Sequence, residues 1–260
     1  MRIKQIFISL VLIFLYISSI NAQEVQEANS LSHMPSNLID LPVAVTYAHK
    51  EYGIGLRNYP NGGVLTNFSF GLFDKTLVAI YYGGENVIGE GDINWNPHVG
   101  FDFRLRLIDE NIMLPGIIVG FSNQGYGAFV ENENRYSIKS KGVYAVSSRN
   151  YSGIIGDAGL HFGANLSLEN EDSDNDINLF GGANFTFKRV AEILLEYDLA
   201  VNDNESNSLG DNNGYLNLGL RFFISDNFHL TFHFKNLTEN TKGKEFGREI
   251  MIEYRNIFRR

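Results

Sequence analysis

Through most of its length the chain alternates apolar and polar residues, and a period of two confines it to strands with one apolar and one polar face. Val99, Phe101, Phe103, Leu105 and Leu107 oppose Gly100, Asp102, Arg104 and Arg106. Leu160, Phe162, Ala164, Leu166 and Leu168 oppose His161, Gly163, Asn165, Ser167 and Glu169. Leu216, Leu218, Leu220, Phe222 and Ile224 oppose Asn217, Gly219 and Arg221, and Phe228, Leu230, Phe232 and Phe234 oppose His229, Thr231, His233 and Lys235. Several runs exceed the ~5–6 residues usual in soluble sheets and are long enough to cross a bilayer at a tilt.

The N-terminus reads differently. Arg2 and Lys4 precede an apolar run from Ile6 to Ile20 that closes on Asn21-Ala22 before Gln23, the pattern of a secretory signal over residues 1–22. No other stretch approaches the apolar length of a spanning helix. An exported chain of this kind meets a membrane again only as a closed β-barrel, because lipid leaves no other way to satisfy strand backbone groups. The formal charge of −9 becomes more acidic once the signal's two basic residues are lost, which argues against nucleic acid as a partner. With no cysteine, disulfides, thiolate catalysis, cysteine zinc sites and a lipoprotein anchor are excluded.

Connection lengths alternate as well. Thr238 to Phe246 is long, Ser225-Asp226-Asn227 tight, Asn202 to Asn213 long, Arg189-Val190 tight and Glu169 to Asp176 long. Outer-membrane barrels pair short periplasmic turns with longer external loops. The count gives strands near 62–73, 75–82, 92–107, 115–122, 135–148, 152–168, 176–188, 191–202, 213–224, 227–238 and 246–257. Leu41 to Asn58, read as one strand bent around Lys50 to Gly53, makes the number even, as bacterial single-chain barrels require. The expected fold is therefore all-β, an antiparallel transmembrane β-barrel of about twelve strands. Residues 23–40 form a short polar leader, in the periplasm or in the lumen, and residues 41–260 the barrel.

Alternation alone does not tell inside from outside, and a soluble sandwich or lipocalin-like barrel would turn the apolar face inward. The mixed charge of the polar face favours a polar lumen. Its candidate lining residues are Asp102, Arg104, Arg106, Lys139, Lys141, Glu196, Asp198, Arg221, His229 and His233. Arg104 and Arg106 share a side, as do Lys139 and Lys141, and Glu196 and Asp198 form an acidic pair. Such charges either pair across a narrow barrel or frame a path or site for anionic sugars. In the last strand Gly247, Ile250, Ile252, Tyr254 and the near-terminal Phe258 fit the spacing of a barrel insertion signal.

Several segments resemble the YjbH family of exported β-barrel proteins, associated with exopolysaccharide gene clusters. They are Met34-Pro35-Ser36, Phe101 to Leu107, Leu114-Pro115, Val119-Gly120, Tyr136 to Lys141, Glu196-Tyr197-Asp198 and Asn217-x-Gly219-x-Arg221. The resemblance implies a barrel and a role in exopolysaccharide export or assembly, with polysaccharide or its export proteins as partners. The chain departs from the family in lacking a lipoprotein cysteine and in being much shorter than its multi-region members.

Other constellations carry less. Glu169 to Asp176 offers hard oxygen ligands but lacks the glycine and distal glutamate of a calcium loop, so a solvated external loop is expected. His229 and His233 lie roughly 13 Å apart on a strand, too far to share a metal ion. No Gly-x-Ser-x-Gly, Walker or dinucleotide motif occurs. The expectation is a non-enzymatic protein of the bacterial outer membrane without metal or cofactor, contacting outer-membrane lipid and the barrel-insertion machinery. The alternatives are a porin-like channel for small solutes and a lipid-modifying barrel enzyme using His161 with Ser152 or Ser167.

Overall fold

The computed structural model describes residues 36–242 and 246–258. The signal segment and most of the leader lie outside the described residues. The strands are β1 Glu51–Tyr59, β2 Gly63–Leu72, β3 Thr76–Glu85, β4 Asn94–Trp95, β5 Gly100–Ile108, β6 Gly116–Ser122, β7 Tyr126–Val130, β8 Arg135–Ile138, β9 Gly142–Ser152, β10 Gly156–Leu166, β11 Asn178–Phe187, β12 Ala191–Asp198, β13 Tyr215–Phe223, β14 Phe228–Lys235 and β15 Gly247–Ile257. Twelve of them pair antiparallel around a ring in which β1 joins β2 to β15, and β2 closes on β3. β4 is a short side pairing on β3, and β7 and β8 pair only with each other.

Burial decides which face is which. In β5, Phe103 is 46% exposed while Arg104 is 1% exposed. Phe101, Leu105 and Leu107 are exposed with Phe103, and Asp102 is buried with Arg104. The same inversion runs round the wall, with Ile193 and Leu195 outside and Glu192 and Glu196 inside on β12. A continuous apolar exterior over a charged interior belongs in lipid. Aromatic pairs mark both rims, Tyr52 with Phe258 (ring centroids 4.3 Å apart) and Tyr82 with Trp95 (5.6 Å).

Connections 86–99, 123–141, 167–177, 199–214 and 236–246 share one end, which we call the long-loop end. Connections 73–75, 109–115, 153–155, 188–190 and 224–227 share the other, the short-turn end. The Pro60-Asn61-Gly62 turn is the one tight connection at the long-loop end. Asn61 and Gly62 are both left-handed there (φ 61° and 63°), the conformation an Asn-Gly hairpin turn supplies at little cost.

Three strand expectations need correction. Residues 41–50 are no part of a strand, since β1 begins at Glu51, residues 41–47 are buried inside the barrel and residues 48–50 are an exposed turn. The strand expected over 92–107 begins at Gly100, and the one expected over 135–148 begins at Gly142. Residues 135–138 belong to the β7–β8 hairpin, which folds into the long-loop end of the lumen and sets the Tyr126 ring 4.5 Å from the Arg57 guanidinium. Lys139 and Lys141 therefore sit between β8 and β9, not on a strand.

Candidate functional site: a lumen filled by its own chain

Residues 36–47 rise from the short-turn end into the lumen and turn back on themselves. Leu38 N–H donates to Leu41 O (3.0 Å), Val43 N–H to Ser36 O (3.3 Å), and Asn37 bridges to Pro42. Pro42 has no N–H to offer a strand ladder, and the run Leu41 to Val45 is apolar at both parities. Such a segment needs burial on every side. It finds this against apolar wall residues that interrupt the polar lumen. Leu41 and Ala44 cluster with Ile118, Tyr144, Val146 and Phe180. Leu38, Ile39, Val43 and Val45 cluster with Leu194, and Tyr47 with Leu77 and Ala79.

Polar contacts fix the height of this plug. The Glu196 carboxylate accepts the N–H groups of Ile39, Asp40 and Leu41 at 3.0–3.1 Å and the amide of Asn217 at 2.7 Å. Three successive N–H groups converging on one anion form a backbone nest. Asp40 pairs with Arg57 Nη2 (2.7 Å) and with Lys235 Nζ, and Arg57 Nε also donates to Glu249 (2.7 Å). Arg104 holds Asp102 (2.5 Å), Asn37 Oδ1 (2.6 Å) and Ser36 O, while Tyr144 donates to Asp102 (2.8 Å).

Lower in the barrel a relay runs from plug to wall. Ala44 N–H donates to Ser148 Oγ (2.8 Å), which lies 2.7 Å from His161 Nδ1. His161 Nε2 is 2.8 Å from Asn184 Oδ1, Asn184 donates to Glu192 (2.8 Å), and Arg221 Nη1 pairs with Glu192 (2.7 Å). His161 thus meets Ser148, not Ser152 or Ser167. The order Ser–His–Asn has the connectivity of a nucleophilic triad. Here, however, the serine oxygen is engaged by the plug, and all three side chains are buried.

The remaining expected residues fall into place around these groups. Arg106 is half-buried near the short-turn end, 3.6 Å from Asp109. Arg221 also approaches Glu253 (3.6 Å). His229 is buried, and His233 Nδ1 lies 3.4 Å from Glu249. Lys141 pairs with Asp198, and Lys139 with Asp172 at 2.8 Å. Gly247, Ile250, Ile252 and Tyr254 lie along β15, and Phe258 follows it, stacked on Tyr52.

The acidic segment 169–176, expected as a solvated loop, is instead partly drawn inward. Asp172 and Asp174 are buried, and Arg135 Nη1 bridges Asp172 (3.0 Å) and Asp203 (2.6 Å). Burial opposes the charge on Asp172, yet Lys139 holds its carboxyl below the ordinary value. Glu169 has weaker compensation: burial pushes it up to about 7 although Ser140 N–H donates to it at 2.9 Å.

A cavity of about 290 Å³ opens at the long-loop end between the β7–β8 hairpin and the wall. Tyr59, Ser137, Lys235, Asn236, Lys242 and Glu249 are among its lining residues. Sequence reasoning allowed residues 23–40 to enter the lumen but carried residues 41–50 into a strand, and it did not single out Asp40, Arg57, Ser148 or Glu249. The doubly apolar run with a proline in it was the signal that could have exposed the plug.

No family model matches the chain, and no curated protein matches it. Among solved structures it is similar to the KdgM porin (11% identity, TM-score 0.46, covering 78% of this chain and 98% of that one). It is also similar to the KdgM porin in complex with disordered oligogalacturonate (10%, TM-score 0.44, 80% and 99%) and to the NanC porin (8%, TM-score 0.40, 80% and 100%). None of these comparisons identifies the exopolysaccharide-associated family that the motifs resemble.

Proposed function

We propose that this chain is a non-enzymatic, porin-like channel of the bacterial outer membrane for small hydrophilic solutes, closed in the described state by its own residues 36–47. The observation that carries this reading is that the barrel is complete without the plug. The strand ladder closes through β1–β15 and β2–β3, and among the described residues no backbone–backbone hydrogen bond joins residues 36–47 to a strand. What would remain on the plug's departure is a barrel whose lumen carries charges of both signs.

Magnitudes support a movable plug. Burial of Leu38, Ile39, Leu41, Val43, Val45 and Tyr47 contributes about 9–18 kcal/mol at ~1.5–3 per side chain. Ordering residues 36–47 costs about 12–24 kcal/mol at ~1–2 per residue. These terms nearly cancel, which leaves the ionic anchors on Asp40 and Glu196 to decide the balance.

On this reading the long-loop end faces outward, and residues 1–22 direct export. Gly247, Ile250, Ile252, Tyr254 and Phe258 engage the insertion machinery, and the apolar exterior engages lipid. The role in polysaccharide export or assembly rests on motif resemblance alone; a deletion strain with unchanged surface polysaccharide would remove it.

Planar-bilayer conductance tests the channel. The native chain is expected to be mostly closed, and the Asp40→Asn, Glu196→Gln double variant to conduct. A double variant that shows heat-modifiable migration on gels, and so is folded, yet stays silent would overturn the reading.

A further inference from the structure

Asp40 is the one charged side chain among residues 36–47. Its carboxylate lies between Arg57 Nη2 at 2.7 Å and Lys235 Nζ, and both cations sit over the Tyr126 ring, at 4.5 and 5.1 Å. Lys235 makes no other ion pair among the described residues, whereas Arg57 is shared with Glu249. Arg57 and Lys235 belong to β1 and β14, the strands on either side of β15. The carboxylate position is therefore built by the wall and persists when the plug leaves.

A cavity at the long-loop end approaches that position through Lys235, with Arg57 and Asp40 buried behind its lining. The 290 Å³ cavity is bordered at its mouth by exposed Pro60, Asn61 and Lys242 and reaches inward to Lys235 and Glu249. Its volume is at the small end of the range for small-molecule sites. Glu249, and Glu196 beneath the plug, restrict the charge the site tolerates, favouring a single carboxylate over a multiply charged anion. The Tyr59 hydroxyl is buried there with no hydrogen-bond partner among the described residues, and Ser137 lines the same space. Both suit a hydroxylated tail.

We propose that Arg57 and Lys235 form a binding site for a small hydroxylated monocarboxylate entering through the outer cavity, and that Asp40 occupies this site in the closed channel as a tethered competitor. The proposal rests on the channel reading above. Solute binding and plug seating exclude each other, so a solute at about 100 times its Kd shifts the balance toward the open barrel by about 100-fold.

The probe is gluconate, with sorbitol as its uncharged counterpart and sodium chloride at matched ionic strength. The full mature chain is reconstituted and its conductance measured with each solute on the long-loop side. In parallel, because the chain has no cysteine, an Ala44→Cys variant reports plug exit through its rate of labelling by a membrane-impermeant maleimide. Gluconate is expected to raise both conductance and labelling at least about tenfold and saturably, with no response to sorbitol or chloride; Lys235→Gln, which also breaks the Asp40 pair, is expected to start from a higher conductance and to gain nothing further from gluconate.

If gluconate acts no better than sodium chloride while Asp40→Asn opens the channel, the carboxylate site falls and the channel stands. Should neither gluconate nor Asp40→Asn open it, the channel reading falls and takes the site with it. An equal response to every salt would mean screening and also overturns the site. Conductance of the unsubstituted chain decides the matter if a variant does not fold.

Discussion

Two charged clusters inside the barrel use the same residue types and differ in what holds them together. Near the short-turn end, Glu192 and Arg221 stand directly opposite each other on β12 and β13, and Thr231 stands opposite Arg221 on β14. Arg221 bonds both of them, at 2.7 and 3.2 Å. Near the long-loop end, Lys235 pairs with Asp40, a residue 195 positions away that belongs to no strand. The first cluster is a property of the wall. The second joins the wall to the plug, so on the channel reading proposed above the same chemistry serves as brace in one place and as latch in the other.

The largest expected effect lies in the brace. Arg221→Ala leaves Glu192 buried with Asn184 and Thr186 as hydrogen-bond partners but without a cation, and breaking a buried pair in this way costs about 3–5 kcal/mol. The expected result is a lower midpoint for loss of heat-modifiable migration, with the channel still closed in bilayers. Opening by Arg221→Ala would abolish the distinction between brace and latch.

The latch comes next. Asp40→Asn removes the charged partner of Lys235, worth about 1.5–3 kcal/mol for a hydrogen bond to a charged group. On the channel reading, departure of the plug returns the unpaired Lys235 to water, so the barrel midpoint should move less than in Arg221→Ala while conductance rises about tenfold or more, as 1.4 kcal/mol per decade requires. A smaller effect is expected from Ser148→Ala, which takes the acceptor from Ala44 N–H and one partner from His161. An orphaned buried N–H costs about 1–3 kcal/mol, and at the low end, about 1 kcal/mol, the gain in open probability is about fivefold.

The sequence reading placed Arg221 and Thr231 of the brace and Lys235 of the latch on polar strand faces but paired none of them, for a physical reason. A period of two assigns a strand residue to a face whatever its partner, so Asp102, Arg104, Glu196, Asp198, Arg221, His229 and His233 could be set on the inner face without knowing what they touch. In the structure these side chains are buried. Partner identity across the lumen depends on a chain path that periodicity does not encode. Leu41, Val43 and Val45 mimic the start of a strand, and only Ala44 and Pro42 between them betray a segment buried all round. Lys139 and Lys141 likewise follow a strand-like pattern, yet lie in the return from a hairpin that folds inward. The apolar wall residues Ile118, Val146, Phe180 and Leu194 make sense only once the plug is known.

The smallest expected effect sharpens the comparison at the outer rim. Glu169 is also a carboxylate drawn out of water, but among the described residues no cation pairs with it directly: Ser140 N–H donates to it and Arg135 acts on it at longer range. Burial accordingly pushes it from 4.5 up to about 7. Below pH 4.5 the folded and unfolded states both carry the proton and stability is flat. Between 4.5 and about 7 the folded state binds the proton and the unfolded state does not, so stability falls as pH rises, and above about 7 it is flat again. Melting temperature measured from pH 4.5 to 8 should therefore decline across that window, and Glu169→Gln, neutral throughout, should flatten this part of the profile and melt higher than the native chain at pH 8. If Glu169→Gln instead melts lower at pH 8, the outer loop is held by a charge contact and belongs with the brace.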